Sequence, residues 1–312
     1  MATATATATM TKAEIEPVTR TVETTINYFH DTGLPLVPMV IGGSIPPKPQ
    51  PKIAWPVRIS DVTGREDEYT LDQQGFQYVK HRSVLDINDD DETIRRVHYP
   101  EMEELVRKVI LETKGLPPPS SIHILTHIIR RGPKDGEVSI PGVGPLYGVH
   151  VDQSLGAAPG VVGRFLGDAA AELLQKPRYQ IINTWRPLRP VTRDCFAVSD
   201  ARSIPDSDLI HVPIIFPNHE TEALEVRPPA GTASPASASS SSASASHRWY
   251  YKERQQPDDV LFFTQVDSCD LPHVVARRVP HCAFNDPSRP PGYGEPRVSI
   301  EVRALVFYDS VL

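Results

Sequence analysis

The strongest periodic signal in the chain lies between His98 and Lys114. There Met102, Leu105, Val106, Val109 and Ile110 recur at i, i+3, i+4, i+7 and i+8, which puts one apolar stripe on an amphipathic helix. Gly115 and the prolines at 117–119 end it. A second helix is expected over Pro159–Gln175, with Val162, Phe165, Leu166 and Leu173 turned inward. Elsewhere the apolar positions fall in short runs rich in β-branched and aromatic residues: Ile122–Ile129, Arg178–Trp185, Leu209–Phe216, Trp249–Lys252, Val260–Val266 and Val298–Tyr308. Clusters of Pro, Gly, Asp and Ser separate them, as between strands. This spacing predicts a mainly β protein with flanking helices, built as an antiparallel barrel or a double-sheet jelly roll. Between Asn27 and Pro56 the many Pro and Gly residues predict extended coil or short edge strands. The acidic run Asp89–Glu92 reads as a solvated loop or a helix start.

Composition narrows the picture. A chain of 312 residues with 39% apolar content can bury a real core, while 32 prolines keep its elements short. Residues 1–20 are low in complexity and read as a disordered arm, and 21–312 as one domain. Within it, residues 229–246 are almost pure Ala, Ser, Gly, Thr and Pro. They cannot bury apolar surface, so a disordered external loop is expected. A net charge of −7 gives no electrostatic reason for a nucleic-acid or anionic-membrane partner. No apolar run approaches the roughly 18 residues of a membrane-spanning helix, and the N-terminus lacks the basic start of a secretory signal. Cys195, Cys269 and Cys282 form no C-x-x-C pair and are odd in number. That argues against a disulfide framework or structural zinc, and a reducing cytoplasmic location is the expectation. No Walker loop, G-x-G-x-x-G or G-x-S-x-G motif is present, which removes the main support for nucleotide-binding and α/β-hydrolase readings.

Among the 11 histidines, one begins an H-x-D tripeptide, His150-Val151-Asp152. On a strand, residues i and i+2 share a face, so this imidazole and carboxylate can grip one metal from the same side. A second histidine from a distant strand would complete a facial triad, an arrangement suited to iron(II) and oxygen chemistry. His273 and His281, each following a proline, are the candidates. Beyond them, Arg297 and Ser299 share a face at the start of a strong strand. A guanidinium with a hydroxyl beside it makes a clamp for a carboxylate. The plainer alternative is an exposed Arg and Ser on the polar face of an edge strand.

Five segments carry a resemblance. They are Tyr147–Asp152, Asn183–Leu188, Phe263–Ser268, Pro280–Pro287 and Arg297–Tyr308. In these the chain resembles the fungal hydroxylase/desaturase family that includes gibberellin desaturase and relatives of cephem-methoxylase subunits. The resemblance implies a double-stranded β-helix (jelly-roll) oxygenase using Fe(II), 2-oxoglutarate and O2 on a small molecule of specialised metabolism. It implies His150, Asp152 and His281 as metal ligands and Arg297 with Ser299 as the co-substrate clamp. It selects His281 over His273, because only His281 precedes an Ala-Phe-x-Asp-Pro run. Gln153-Ser154, after the H-x-D, departs from the family pattern, which has an aromatic there. Asn183 shares a strand face with Ile181 and Trp185 and is expected either to bond co-substrate or substrate or to serve as a turn or pairing residue. Trp185 is expected in the core, and Glu301 with Arg303 as a pair inside the barrel. Two other functions stay open on the residues: a metal oxygenase that does not use 2-oxoglutarate, and a non-catalytic metal-binding jelly roll.

Overall fold

The computed structural model describes residues 20–42, 49–134, 143–230, 247–290 and 292–311. Both the arm, apart from Arg20, and nearly all of the Ala/Ser insertion lie outside these residues. The strands in chain order are β1 Thr21–Phe29, β2 Met39–Val40, β3 Lys52–Asp61, β4 Phe76–Lys80, β5 Pro119–Arg131, β6 His150–Val151 and β7 Arg178–Pro187. They continue with β8 Cys195–Ser199, β9 Leu209–Phe216, β10 His219–Val226, β11 Trp249–Tyr251, β12 Asp259–Asp267, β13 His281–Phe284 and β14 Val298–Tyr308. The helices are α1 Asp91–Thr93, α2 Tyr99–Glu112, α3 Ala158–Leu166 and α4 Ala170–Leu173, with a π-helical turn, Ile94–His98, joining α1 to α2.

Two sheets face each other. One has nine strands in the order β1-β3-β11-β8-β13-β6-β10-β9-β2, the other five in the order β4-β12-β7-β14-β5. This is the expected jelly roll. Every residue of β7 and β12 is buried, because the five-stranded sheet is covered on both faces. Its outer face packs Ile182, Phe262, Ile300, Val302 and Val306 under the α2 stripe, whose buried members are the five predicted from periodicity. On its inner face Trp185, Leu261 and Phe263 meet Phe196, Trp249 and Phe284 of the other sheet. Alternate residues of one strand therefore serve two different cores.

The acidic run resolves into a helix start. Asp90 caps α1 by accepting from the Thr93 amide at 2.8 Å, and Asp91 and Glu92 occupy the first turn, where the helix dipole favours negative charge. Glu101 then ties α2 to the segment after β4. Its carboxylate contacts ring nitrogens of His81 and His98, each at 2.8 Å, and accepts from the Ser83 hydroxyl at 2.6 Å. Burial alone would raise the Glu101 pKa. The donors from His98, Ser83 and His81 override it and hold the group at about 2. A carboxylate depressed in the folded state stabilises above its unfolded value, near 4.5, and loses that contribution as pH falls through its folded value. Glu101→Gln is therefore expected to lower the melting temperature at pH 7, and the gap from the parent should narrow steadily below pH 4.5. Thermal melts across that range check it.

Three expectations are corrected. First, the ends of the Asn27–Pro56 stretch, predicted as coil or short edge strands, belong to two long strands, β1 and β3, paired in register from Thr21↔Ser60 to Phe29↔Lys52. Pro56 is tolerated because the second neighbour of β3, β11, pairs only with Ile59–Asp61. Second, the helix over Pro159–Gln175 is broken. Gly167 adopts φ +54 between α3 and α4, a left-handed backbone that glycine takes without a steric penalty. Third, Phe165 is 42% exposed, while Val162 is buried as expected and Val161 joins it.

Candidate metal centre

Strand β6 is only two residues long, and its neighbours define the site. β13 pairs with it through His281↔His150, and β10 through Leu224↔Val151 and Glu225↔His150. Val149 and Val151 are fully buried, while His150 and Asp152 alternate with them on the half-buried face. The two-residue period thus turns one imidazole and one carboxylate the same way. The cross-strand pair adds the second imidazole, whose ring centroid lies 4.4 Å from that of His150. Single ligand atoms from His150, Asp152 and His281 all lie within 4.8 Å of one another.

Each imidazole is oriented through its Nδ1. That of His150 contacts the Gly148 carbonyl at 2.7 Å, and that of His281 the Val279 carbonyl at 3.1 Å. A ring that donates from Nδ1 keeps the Nε2 lone pair for a metal. Those Nε2 atoms face Asp152 Oδ1 at 3.5 and 3.9 Å. Burial among Phe196 and Phe263, together with repulsion from His150, pushes the His281 pKa down to about 3, so its imidazole is neutral at pH 7, as a ligand must be. For Asp152, burial acts to raise the pKa, but Arg303 and the two histidines outweigh it and hold the carboxyl well below its usual range. Two imidazoles and one carboxylate form a donor set that fits iron(II).

Arg297 and Ser299 stand at the start of β14. That strand is central in its sheet, flanked by β7 and β5, so its polar face is not a solvent-exposed edge. Arg297 is 2% exposed. Its guanidinium lies over the rings of Trp185 and Phe196, 5.4 and 5.7 Å from their centroids, and Nη1 donates to the Asp194 carbonyl at 2.6 Å. No carboxylate side chain among the described residues pairs with it. Arg297 Nε and Ser299 Oγ are buried without any hydrogen-bond partner. Burial depresses the Arg297 pKa to about 10, which leaves it cationic at neutral pH. A buried cation beside an unused hydroxyl is costly unless an anion completes it, so these residues fit a carboxylate such as the far end of 2-oxoglutarate. Phe196 connects this cradle to the triad, since its ring also packs 5.6 Å from His281.

The remaining candidates fall as follows. His273 is exposed and lines a separate surface cavity of about 210 Å³ with Arg178 and Asp267, and it takes no part in the triad. Trp185 belongs to the core, stacked on Phe196 at 4.7 Å. Asn183 faces inward and donates to Asp152 Oδ2 and to Glu301 Oε1, each at 2.9 Å. Arg303 and Glu301 do not pair directly: Arg303 Nη2 donates to Asp152 Oδ2 at 2.7 Å. Gln265 accepts from the Asp152 amide at 2.9 Å, a contact sequence reasoning missed. Gln265 continues the inward alternation of Leu261 and Phe263, and a β-bulge between Thr264 and Val266 frees it from the ladder. The sequence did hold a signal for Arg303. Residues 297, 299, 301 and 303 are all polar and alternate with Val298, Ile300 and Val302, so one face of the first part of this buried strand is polar.

A jelly roll holding this donor set is the build of a non-haem iron(II) oxygenase. The chain belongs to the hydroxylase/desaturase family of Fe(II)/2-oxoglutarate-dependent dioxygenases. It is 31% identical over 300 residues to the hydroxylase/desaturase efuI of Hormonema carpetanum, covering 93% of this chain and 96% of that one. It is 31% identical over 258 residues to the alpha-ketoglutarate-dependent dioxygenase phiK of a fungal species, covering 81% and 83%. The family described as YDMC, an oxidoreductase/YMDC permease-like domain, matches residues 26–307. Among solved structures, the iron and alpha-ketoglutarate-dependent endoperoxidase NvfI superposes with a TM-score of 0.71 at 24% identity, covering 92% of this chain and 98% of that one. No helix among the described residues is long and apolar enough to cross a membrane.

Proposed function

We propose that this oxygenase hydroxylates or desaturates a small molecule of specialised metabolism in the cytosol, with His150, Asp152 and His281 holding iron(II) and Arg297 with Ser299 holding the far carboxylate of 2-oxoglutarate. The observation that carries the proposal is the convergence of three ligand atoms within 4.8 Å beside a buried guanidinium and hydroxyl that lack partners. Iron(II) and 2-oxoglutarate held there would supply the oxidation by O2 of a substrate C–H bond to an alcohol, or of two adjacent C–H bonds to an alkene with release of water, while the co-substrate goes to succinate and CO2.

The chain's own residues orient and enclose. The Gly148 and Val279 carbonyls fix both imidazoles. Trp185, Phe196 and Phe263 wall the interior around His281 and Arg297 with apolar surface, which excludes water and strengthens every charge interaction within. Asn183 serves the site through Asp152 and Glu301. Three buried free cysteines agree with a reducing compartment.

An anaerobic titration of the iron(II)-loaded protein with 2-oxoglutarate tests this reading. A weak visible charge-transfer band should grow to saturation at one equivalent. Succinate release with candidate substrates should then depend on both iron(II) and Arg297. A protein that consumes O2 equally well without 2-oxoglutarate would instead be a cupin-like metal oxygenase. One that binds iron(II) and consumes no O2 with any substrate would be a non-catalytic binder.

A further inference from the structure

The two oxygens of Asp152 have different surroundings. Oδ1 faces the Nε2 atoms of His150 and His281 and accepts from no other donor among the described residues. Oδ2 accepts two short hydrogen bonds, from Arg303 Nη2 at 2.7 Å and Asn183 Nδ2 at 2.9 Å. Those donors are themselves fixed. Arg303 and Asn183 stand directly opposite each other on β14 and β7, and Arg303 Nε reaches Asn183 Oδ1 at 3.4 Å. The second donor hydrogen of Asn183 is spent on Glu301 Oε1. The backbone amide of Asp152 is held in turn by Gln265. Asp152 is therefore held by three hydrogen bonds, two on Oδ2 and one from its backbone amide, and only Oδ1 is presented to the imidazoles.

We infer that Arg303 is a positioning residue which, with Asn183, makes Asp152 a single-oxygen ligand. The inference rests on the iron site proposed above. A carboxylate free to turn can offer one or both oxygens to a divalent ion. Occupying Oδ2 with a guanidinium and an amide removes the second mode, so coordination positions are kept for co-substrate and O2. A buried ion pair alone would be weak evidence for such a role, since buried pairs often add little stability. The asymmetry is the stronger argument, because both protein donors converge on the oxygen turned away from the imidazoles.

Cobalt(II) titration of the full-length apo-protein tests the inference without turnover, reading affinity by calorimetry and ligand geometry by visible absorption. Arg303→Met is expected to weaken cobalt(II) binding by about 10–100-fold, the usual cost of losing an outer-shell partner, and to change the absorption intensity. Arg303→Lys keeps a charge and one donor and should return most of both. Arg303→Gln serves in place of the methionine variant if that one does not fold. Parent-like affinity and spectrum in Arg303→Met, or equal impairment in the methionine and lysine variants, would overturn the inference. Asp152→Asn in the same titration separates the two levels. If Asp152→Asn abolishes binding while Arg303→Met leaves it intact, only the positioning role fails. If Asp152→Asn binds like the parent, the iron site itself is wrong.

Discussion

Replacing His281 by alanine abolishes iron(II) binding, while replacing His273 leaves it unchanged: that is the expected result with the largest effect. His281 offers one of the three converging atoms proposed to hold iron(II), and its loss should cost more than the roughly 10–100-fold that removal of an outer-shell partner costs. His273 is exposed beside a different cavity. His281 is also packed against Phe196 and Phe263, so alanine leaves a void and a lower melting temperature. His281→Asn fills most of that space and should restore the melting temperature without restoring metal affinity. Anaerobic calorimetric titration with iron(II), paired with thermal melts, checks both halves. Tight iron(II) binding in His281→Asn, with weak binding in His273→Ala, would reassign the third ligand.

The second prediction concerns Arg297. A hydrogen-bonded charged group contributes about 1.5–3 kcal/mol, so Arg297→Met should weaken 2-oxoglutarate binding roughly 10- to 150-fold and leave iron(II) affinity intact. The stability change should carry the opposite sign. In the protein without co-substrate, Arg297 is a buried cation whose Nε has no partner. Exchanging a buried charge without an ion-pair partner for an apolar side chain of similar length removes a desolvation cost, which offsets the lost hydrogen bond to the Asp194 carbonyl. The apo-protein should therefore melt no lower than the parent, while the added stability that 2-oxoglutarate confers on the parent by mass action largely disappears. Arg297→Lys should recover little of the affinity, because a lysine cannot reproduce the planar two-point contact or the stacking on Trp185 and Phe196. Melting curves at graded 2-oxoglutarate concentrations read both effects at once. A large drop in apo-protein stability with unchanged co-substrate affinity would make Arg297 a core residue instead of a clamp.

Much of the site was readable one strand at a time. Alternation put His150 with Asp152 and Arg297 with Ser299, and the helical period gave the buried stripe of α2 residue for residue. What escaped was whatever depended on a partner far along the chain. The polar face of β14 could equally have met solvent, and only its place between β7 and β5 turns it inward. Asn183 had an inward position but no assignable partner until Asp152 and Arg303 came beside it. Gln265 continues the inward alternation of Leu261 and Phe263, but its partner, the Asp152 amide, lies far along the chain.

The sequence by itself determined the local periods and which side chains share a face, His150 with Asp152 and Arg297 with Ser299, because side-chain direction along a strand or helix follows from backbone geometry alone. Tertiary structure alone decided that His281 lies across from His150, that alternate residues of β7 and β14 serve separate interiors, and that one oxygen of Asp152 is taken by Arg303 and Asn183. Those relations come from pairing between strands distant along the chain. A period-two pattern says which residues share a face, and cannot say which other strand that face will meet.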